Sequence, residues 1–187
     1  MRVGIAAVVL LALGVAPLPA EEPRGSVLVH FADGTSLPLH TWSLSYELAS
    51  WRAGMSPLFG TASRVESTDL WVGKRSHPTA GATLEIEYHE REAEKDGGTL
   101  RVRAPVVKAL ALTGPDGKRV VLKPERPARE FLMPEADKSL LVEARSLDLR
   151  GQTLTGTSRS FCLVSYSPLV ECHIDPSERV VRIEFPK

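Results

Sequence analysis

The sequence predicts an all-β protein, a mainly antiparallel sandwich or partly closed barrel with long loops. Three observations carry this expectation. Apolar and polar residues alternate with period two in several segments. Gly- and Pro-bearing turn signals separate those segments at short spacing, with 14 Gly and 14 Pro in 187 residues. No regular alternation of strand-like and helix-like patterns supports a parallel α/β winding.

In chain order, residues 1–20 carry one charge, Arg2, then an apolar run over residues 3–15, then Pro17 and Pro19 before Ala20. This is the order of a secretory leader, expected to be cut after Ala20, so residues 21–187 form a single β-rich domain. The run is shorter than the roughly 20 residues that span a bilayer, so no transmembrane segment is expected after cleavage. The expected location is the periplasm or the exterior of the cell.

Residues 27–32 and 36–42 flank Asp33-Gly34, a hairpin signal. A two-residue loop would put His30 and His40 on opposite faces. A three-residue loop would make them diagonal neighbours and gather Val27, Val29, Phe31, Leu37 and Leu39 on the other face. Residues 42–52 read either as a strand through Trp42, Leu44, Tyr46 and Leu48 or as a short helix through Leu44, Leu48 and Trp51. Residues 49–68 read as a long irregular excursion, yet Trp51, Met55, Leu58 and Phe59 make it too apolar to float in water.

The clearest strand is 82–89, apolar at every even position and polar at every odd one. It continues through acidic residues to Gly97-Gly98 and returns through Leu100-Arg101-Val102-Arg103, so acidic and basic residues should face each other across a hairpin. Residues 106–113 and 118–123 flank Gly114-Pro115-Asp116-Gly117, in which Pro presets φ and Gly accepts a positive φ. Residues 123–134, Pro- and charge-rich at the start, read as a solvated connection. Residues 134–151 have helix-like ends but favour strand from about Ser139. Residues 179–185 alternate again, placing Val181, Ile183 and Phe185 on one face.

Cys162 and Cys172 lie in two apolar runs about a Ser-Tyr-Ser-Pro turn. Opposed residues in an antiparallel pair fall within disulfide range, and an oxidising compartment favours the bond. Closing the short ring contributes about 3 kcal/mol on the loop-entropy argument. A reactive thiol is the competitor, but His173 follows Cys172 directly and would point to the opposite face of a strand.

The charge balance, 23 basic against 23 acidic residues, lacks the clustered positive surface that nucleic acid requires. Gly-x-Gly-x-x-Gly and Walker loops are missing, and Gly54-Met-Ser56-Pro-Leu fails the nucleophile elbow at its last position. His89-Glu90 begins like a zinc-protease helix, but Ala93 stands where the second His belongs. The acids Glu85, Glu87, Glu90, Glu92 and Glu94 read as an exposed strand face. No cofactor and no metal site is expected.

The expectation that remains is a non-enzymatic binding or interaction module for an unknown protein or small ligand. The candidate ligand-binding residues are Trp51, Met55, Phe59 and Trp71, because an apolar, Trp-bearing segment is suited to gripping a partner. Two other classes stay open: a secreted hydrolase or metal-assisted enzyme using His30 and His40, and a structural subunit of an envelope assembly that pairs through a sheet edge.

Overall fold

The computed structural model describes residues 25–56, 60–95, 100–135, 137–166 and 179–187; for residues 93–95 and 100–104 it gives the backbone alone. The expected leader, Phe59 and Cys172 lie outside the described residues. Among the described residues twelve strands and one helical turn follow in order. They are β1 (Val27–Phe31), β2 (Ser36–Leu39), β3 (Thr41–Arg52), β4 (Thr61–Ser67), β5 (Leu70–Val72), β6 (Arg75–His77), β7 (Thr83–Lys95), β8 (Leu100–Thr113), β9 (Arg119–Leu122), α1 (Arg129–Leu132), β10 (Leu140–Gln152), β11 (Ser158–Ser165) and β12 (Val180–Glu184).

Two antiparallel sheets pack face to face as a sandwich. The first runs β2-β1-β12-β7-β8-β9, the second β11-β10-β3-β4, and β5-β6 is a separate hairpin. Among the described residues the sheets do not close into a barrel; β2, β9, β11 and β4 remain as edges. One core joins the two sheets, with Val27, Val29, Leu84 and Ile183 from one meeting Leu44, Leu48, Leu147 and Leu163 from the other. Two aromatic contacts bridge the layers: Trp42 against Phe185, with ring centroids 5.1 Å apart, and Phe31 against Phe161 at 5.4 Å. Such pairs add about 0.5–1.5 kcal/mol beyond the area they bury.

The alternation at 82–89 sets this geometry. Ala82, Leu84 and Ile86 are buried, while Glu85 and Glu87 stay exposed. On the outer surface Glu87 pairs with Lys108 at 2.6 Å and Glu85 with Arg119 at 3.4 Å. Both pairs are well exposed, so they contribute little to stability. Among the described residues β7 pairs with β12 over residues 83–85, and β8 pairs with β9 over residues 110–113. Beyond them β7 and β8 continue together, with Glu92 opposite Arg103 and Glu94 opposite Arg101 in register. The turn between β8 and β9 forms as its composition requires. Gly117 N–H donates to the Gly114 carbonyl at 3.0 Å, with Gly117 at φ +77°.

The structure decides the two open readings, both for strand, and corrects other expectations. Residues 42–52 are strand throughout, because Trp42, Leu44, Tyr46 and Leu48 all reach the core on one face. The excursion at 49–68 is mostly a hairpin: β3 runs to Arg52 and β4 pairs back along it from Ser50↔Thr61 to Leu44↔Ser67. Its strand pattern is faint in sequence because β4 is an edge strand, its alternate residues being small or charged, with no apolar face to print a period. Residues 134–151 contain no helix among those described; the one helical turn comes earlier, at α1, inside the stretch read as a solvated connection. In β12, Val180 is buried in place of Val181, because the ladder slips between His30 and Phe31 and leaves Val181 as the extra residue of a bulge.

The chain passes from one sheet to the other at His40, between β2 and β3, where His40 N–H donates to the Gln152 carbonyl at 2.8 Å. β10 approaches this corner closely at Gly151. A Cβ built there would lie 2.4 Å from the Thr41 carbonyl oxygen and 3.0 Å from the Leu39 side chain. Backbone cannot yield as a flexible side chain can. Gly151→Ala is therefore expected to cost about 1–3 kcal/mol, read as a lower urea midpoint; an unchanged midpoint would mean the corner relaxes freely.

Candidate functional site

Among the described residues a shallow groove of about 420 Å³ lies where the segment 123–134 meets β3 and β10. Its apolar part comes from strand pairing. The ladder sets Trp51, near the end of β3, directly opposite Leu141 of β10. Both project from the face away from the core, since their neighbours Leu48 and Ala144 point inward. Trp51 is half-buried, and Leu141 is 44% exposed. Pro127 is buried beside them, while Arg126, Arg129 and Glu143 bring charge to the same groove.

The segment 123–134 acts as a strap that ties these groups in place. Arg126 forms an ion pair with Glu143 through one guanidinium nitrogen and donates through another to the Tyr166 carbonyl at 2.6 Å. Arg129 donates to the Asp137 carbonyl. Ala128 N–H donates to the Gly73 carbonyl at 2.7 Å, and Lys74 pairs with Glu130 at 3.3 Å. Leu132 is buried, whereas Phe131, 44% exposed, lies with its ring 5.3 Å from that of Trp71. The hydroxyl of the fully buried Tyr46 accepts the Trp71 N–H at 2.7 Å, anchoring β5 to the four-stranded sheet.

Of the four sequence-predicted residues, Trp51 lines the groove. Trp71 packs on the other side of the same strap, through Phe131. Met55 stands apart in the turn after β3, 53% exposed and not among the groove residues. Phe59 lies outside the described residues. Arg126, Arg129, Leu141 and Phe131 were not anticipated. The run Phe131-Leu132-Met133 was the available signal, since it is as hard to leave in water as the Trp51 segment.

His30 and His40 do not form the diagonal pair considered from sequence. The Asp33 carboxylate accepts from both the N–H and the hydroxyl of Thr35, at 2.9 and 2.7 Å, and holds its own charged form. This capping keeps the Asp33 carboxyl below the usual range. It also takes Thr35 out of the ladder, widens the loop to residues 32–35 and sets His30 opposite Ser36. His40 lies about 13 Å further along the strand direction, where Ser26 Oγ is 2.8 Å from its Nδ1. Among the described residues no three His, Cys, Asp or Glu side chains cluster to hold a metal.

Asp148 differs in direction from Asp33, Glu130 and Asp137, whose surroundings lower them. Burial raises it above the ordinary carboxylate range and Glu47 pushes the same way, while Ser146, Arg64 and Arg150 pull it down. It sits on the outer face of β10, opposite Ser45, a 1% exposed residue whose hydroxyl has no hydrogen-bond partner among the described residues. Two carboxylates balanced by two guanidiniums make this seam a cross-strand polar network.

Cys162 lies half-buried on β11 and does not stand as a free thiol. No helix among the described residues is long and apolar enough to cross a membrane. Comparison with protein-family models, with curated proteins and with solved structures finds no match to this chain.

Proposed function

We propose that this is an exported β-sandwich, stapled by Cys162–Cys172, that works as a binding module and receives an acidic, partly apolar peptide in the Trp51 groove. The observation that carries the reading is the cross-strand pair Trp51–Leu141, an indole and an isobutyl group left on the outer face beneath two guanidinium groups and one carboxylate. Trp and Arg dominate binding hot spots because an indole covers a large area at small entropic cost and a guanidinium forks onto a carboxylate. The groove's formal charge of two positives against one negative favours an anionic partner. A volume within the 300–1,000 Å³ range typical of ligand sites admits a few residues of chain. The leader-like residues 1–20 support export, and the absence of a free thiol at Cys162 supports the staple.

The test is an array of short peptides combining Glu or Asp with Leu or Phe, each paired with its Gln or Asn counterpart. Acidic members are expected to bind with quenching of Trp emission and their amide counterparts to bind less. Trp51→Ala and Arg129→Ala should each weaken binding about 10- to 100-fold, with the urea midpoint of Arg129→Ala measured alongside because Arg129 also holds the strap to the Asp137 carbonyl. Retention of the same peptides at the same affinity by Trp51→Ala would overturn the proposal.

A further inference from the structure

Away from the groove, on the outer face of the six-stranded sheet, three neighbouring strands bring together a hydroxyl, an imidazole and a carboxylate. Ser36 of β2, His30 of β1 and Glu184 of β12 form a chain. Ser36 Oγ lies 2.8 Å from His30 Nδ1, and His30 Nε2 lies 3.2 Å from Glu184 Oε1. We infer that Ser36 is a nucleophile activated by His30 and Glu184, able to take the acyl or phosphonyl group of a small activated ester.

The direction of each hydrogen bond follows from chemistry. A carboxylate can only accept, so Nε2 carries the ring proton; in the neutral ring Nδ1 is then a lone pair, and the Ser36 hydroxyl donates to it. The Arg182 guanidinium nitrogen lies 2.5 Å from the same Glu184 Oε1. This is the order nucleophile, base, orienting acid, with the imidazole locked in one tautomer by the third group. It differs from the common arrangement in presenting Nδ1, not Nε2, to the serine.

The sheet itself supplies the placement. Phe31 N–H donates to the Thr35 carbonyl at 2.9 Å, so residue 31 turns its backbone groups toward β2 and residue 30 turns its own toward β12. The next pair, His30↔Ser36, is therefore of the non-hydrogen-bonded kind, with α-carbons about 4.5 Å apart and side chains at their closest. In such a pair the backbone N–H of Ser36 turns away from β1 toward the open edge of β2, where no described strand pairs. That N–H is one donor for an oxyanion forming at an acyl group on Ser36 Oγ. Pro38, two residues on, blocks the same edge against an added strand. Ser36 is exposed, His30 is 26% exposed and Glu184 is 39% exposed, so a small reagent reaches the hydroxyl.

The step balances without a co-reactant beyond water. Ser36 Oγ bonds to the carbonyl carbon as its proton passes to His30 Nδ1. The ester C–O bond breaks, and the leaving group departs with that electron pair and the proton. Water then attacks the acyl group, His30 takes its proton, the carboxylic acid leaves, and Ser36 recovers its hydrogen. A single backbone donor gives weak oxyanion support, since removing one donor from a full hole costs about 10²–10³ in rate. The substrate class is therefore activated esters with good leaving groups, not peptides.

The test uses the full chain with a fluorophosphonate probe and with p-nitrophenyl acetate, followed by intact mass and peptide mapping. One probe per chain is expected, on Ser36, with loss of fluoride. Ser36→Ala, a change at an exposed position, should abolish labelling. His30→Gln should slow it by about 100-fold or more, the usual contribution of a general base, and Glu184→Gln by about 10-fold. Labelling at another side chain, no labelling, or an unchanged rate in His30→Gln with an unchanged urea midpoint would each overturn the inference. None of these outcomes depends on the Trp51 groove.

Discussion

Tyr46→Ala is expected to lower the unfolding free energy by about 3–5 kcal/mol, the range for large aromatic truncations in a packed core, and Tyr46→Phe by about 1–3 kcal/mol. The two changes separate two roles of one residue. The ring is fully buried on β3, between Leu147 of β10 and Val65 of β4 in register, so truncation leaves a cavity under the four-stranded sheet. The hydroxyl accepts the Trp71 N–H at 2.7 Å. Phe keeps the packing but leaves that half-buried donor unsatisfied, and the cost of an orphaned donor exceeds the net worth of the bond. Tyr46→Phe should also loosen β5 and β6, and with them the Trp71–Phe131 contact that backs the strap. Urea unfolding followed by Trp emission reads the first effect as a shift in midpoint at constant slope. Faster protease cutting near residues 70–77 reads the second. A neutral Tyr46→Phe would show that β5 is held by packing alone.

The period of 82–89 was legible because β7 buries one face and wets the other, so each residue records its side in its own polarity. The Gly114–Gly117 turn was legible because a positive φ selects Gly. Both are local causes. The groove is not local. Trp51 and Leu141 meet only because β3 and β10 pair across a long sequence interval, and no property of either residue announces the other. The strap was misread for a related reason. Pro, Glu and Arg at its start resemble solvated chain, whereas what holds it is a set of hydrogen bonds to Gly73, Asp137 and Tyr166. Those partners exist only after folding.

The histidines show how one small term redirects a site. Composition placed His30 and His40 on a hairpin, and burial of carbon alone favoured a three-residue loop. Two hydrogen bonds from Thr35 to Asp33 widen the loop instead, and the ladder shifts by two residues. Val27, Val29 and Leu39 are still buried under this register. The hydrophobic criterion is blind to a slip of two, because the side-chain period is two. The shift decides the chemistry: His30 meets Ser36 in place of an approach to His40.

Alkaline unfolding should be steep, and its cause is the placement of all three tyrosines. Burial pushes the Tyr88 phenol up to about 12, with the Arg179 guanidinium, 5.4 Å from its ring, drawing it down in part. Burial also raises Tyr46 and Tyr166 above the ordinary phenol value, each beyond Tyr88. The folded chain therefore holds protons that the unfolded chain releases near pH 10. Stability from this source is complete below about pH 10 and falls as pH rises through the folded values. Each phenol contributes about 1.4 kcal/mol per pH unit across its window, so three give a slope of about 4. A domain with about 5–15 kcal/mol to lose should cross its midpoint within a few units above pH 10. Absorbance at 295 nm should stay nearly flat to about pH 11 and then rise in one step, together with loss of the far-ultraviolet β signal. Tyr88→Phe should make that step shallower, because Phe has no proton to hold and the hydrogen bond to the Val180 carbonyl at 2.7 Å is absent. Phenolate accumulating gradually near pH 10, with the β signal intact, would contradict the burial that places these rings in the core.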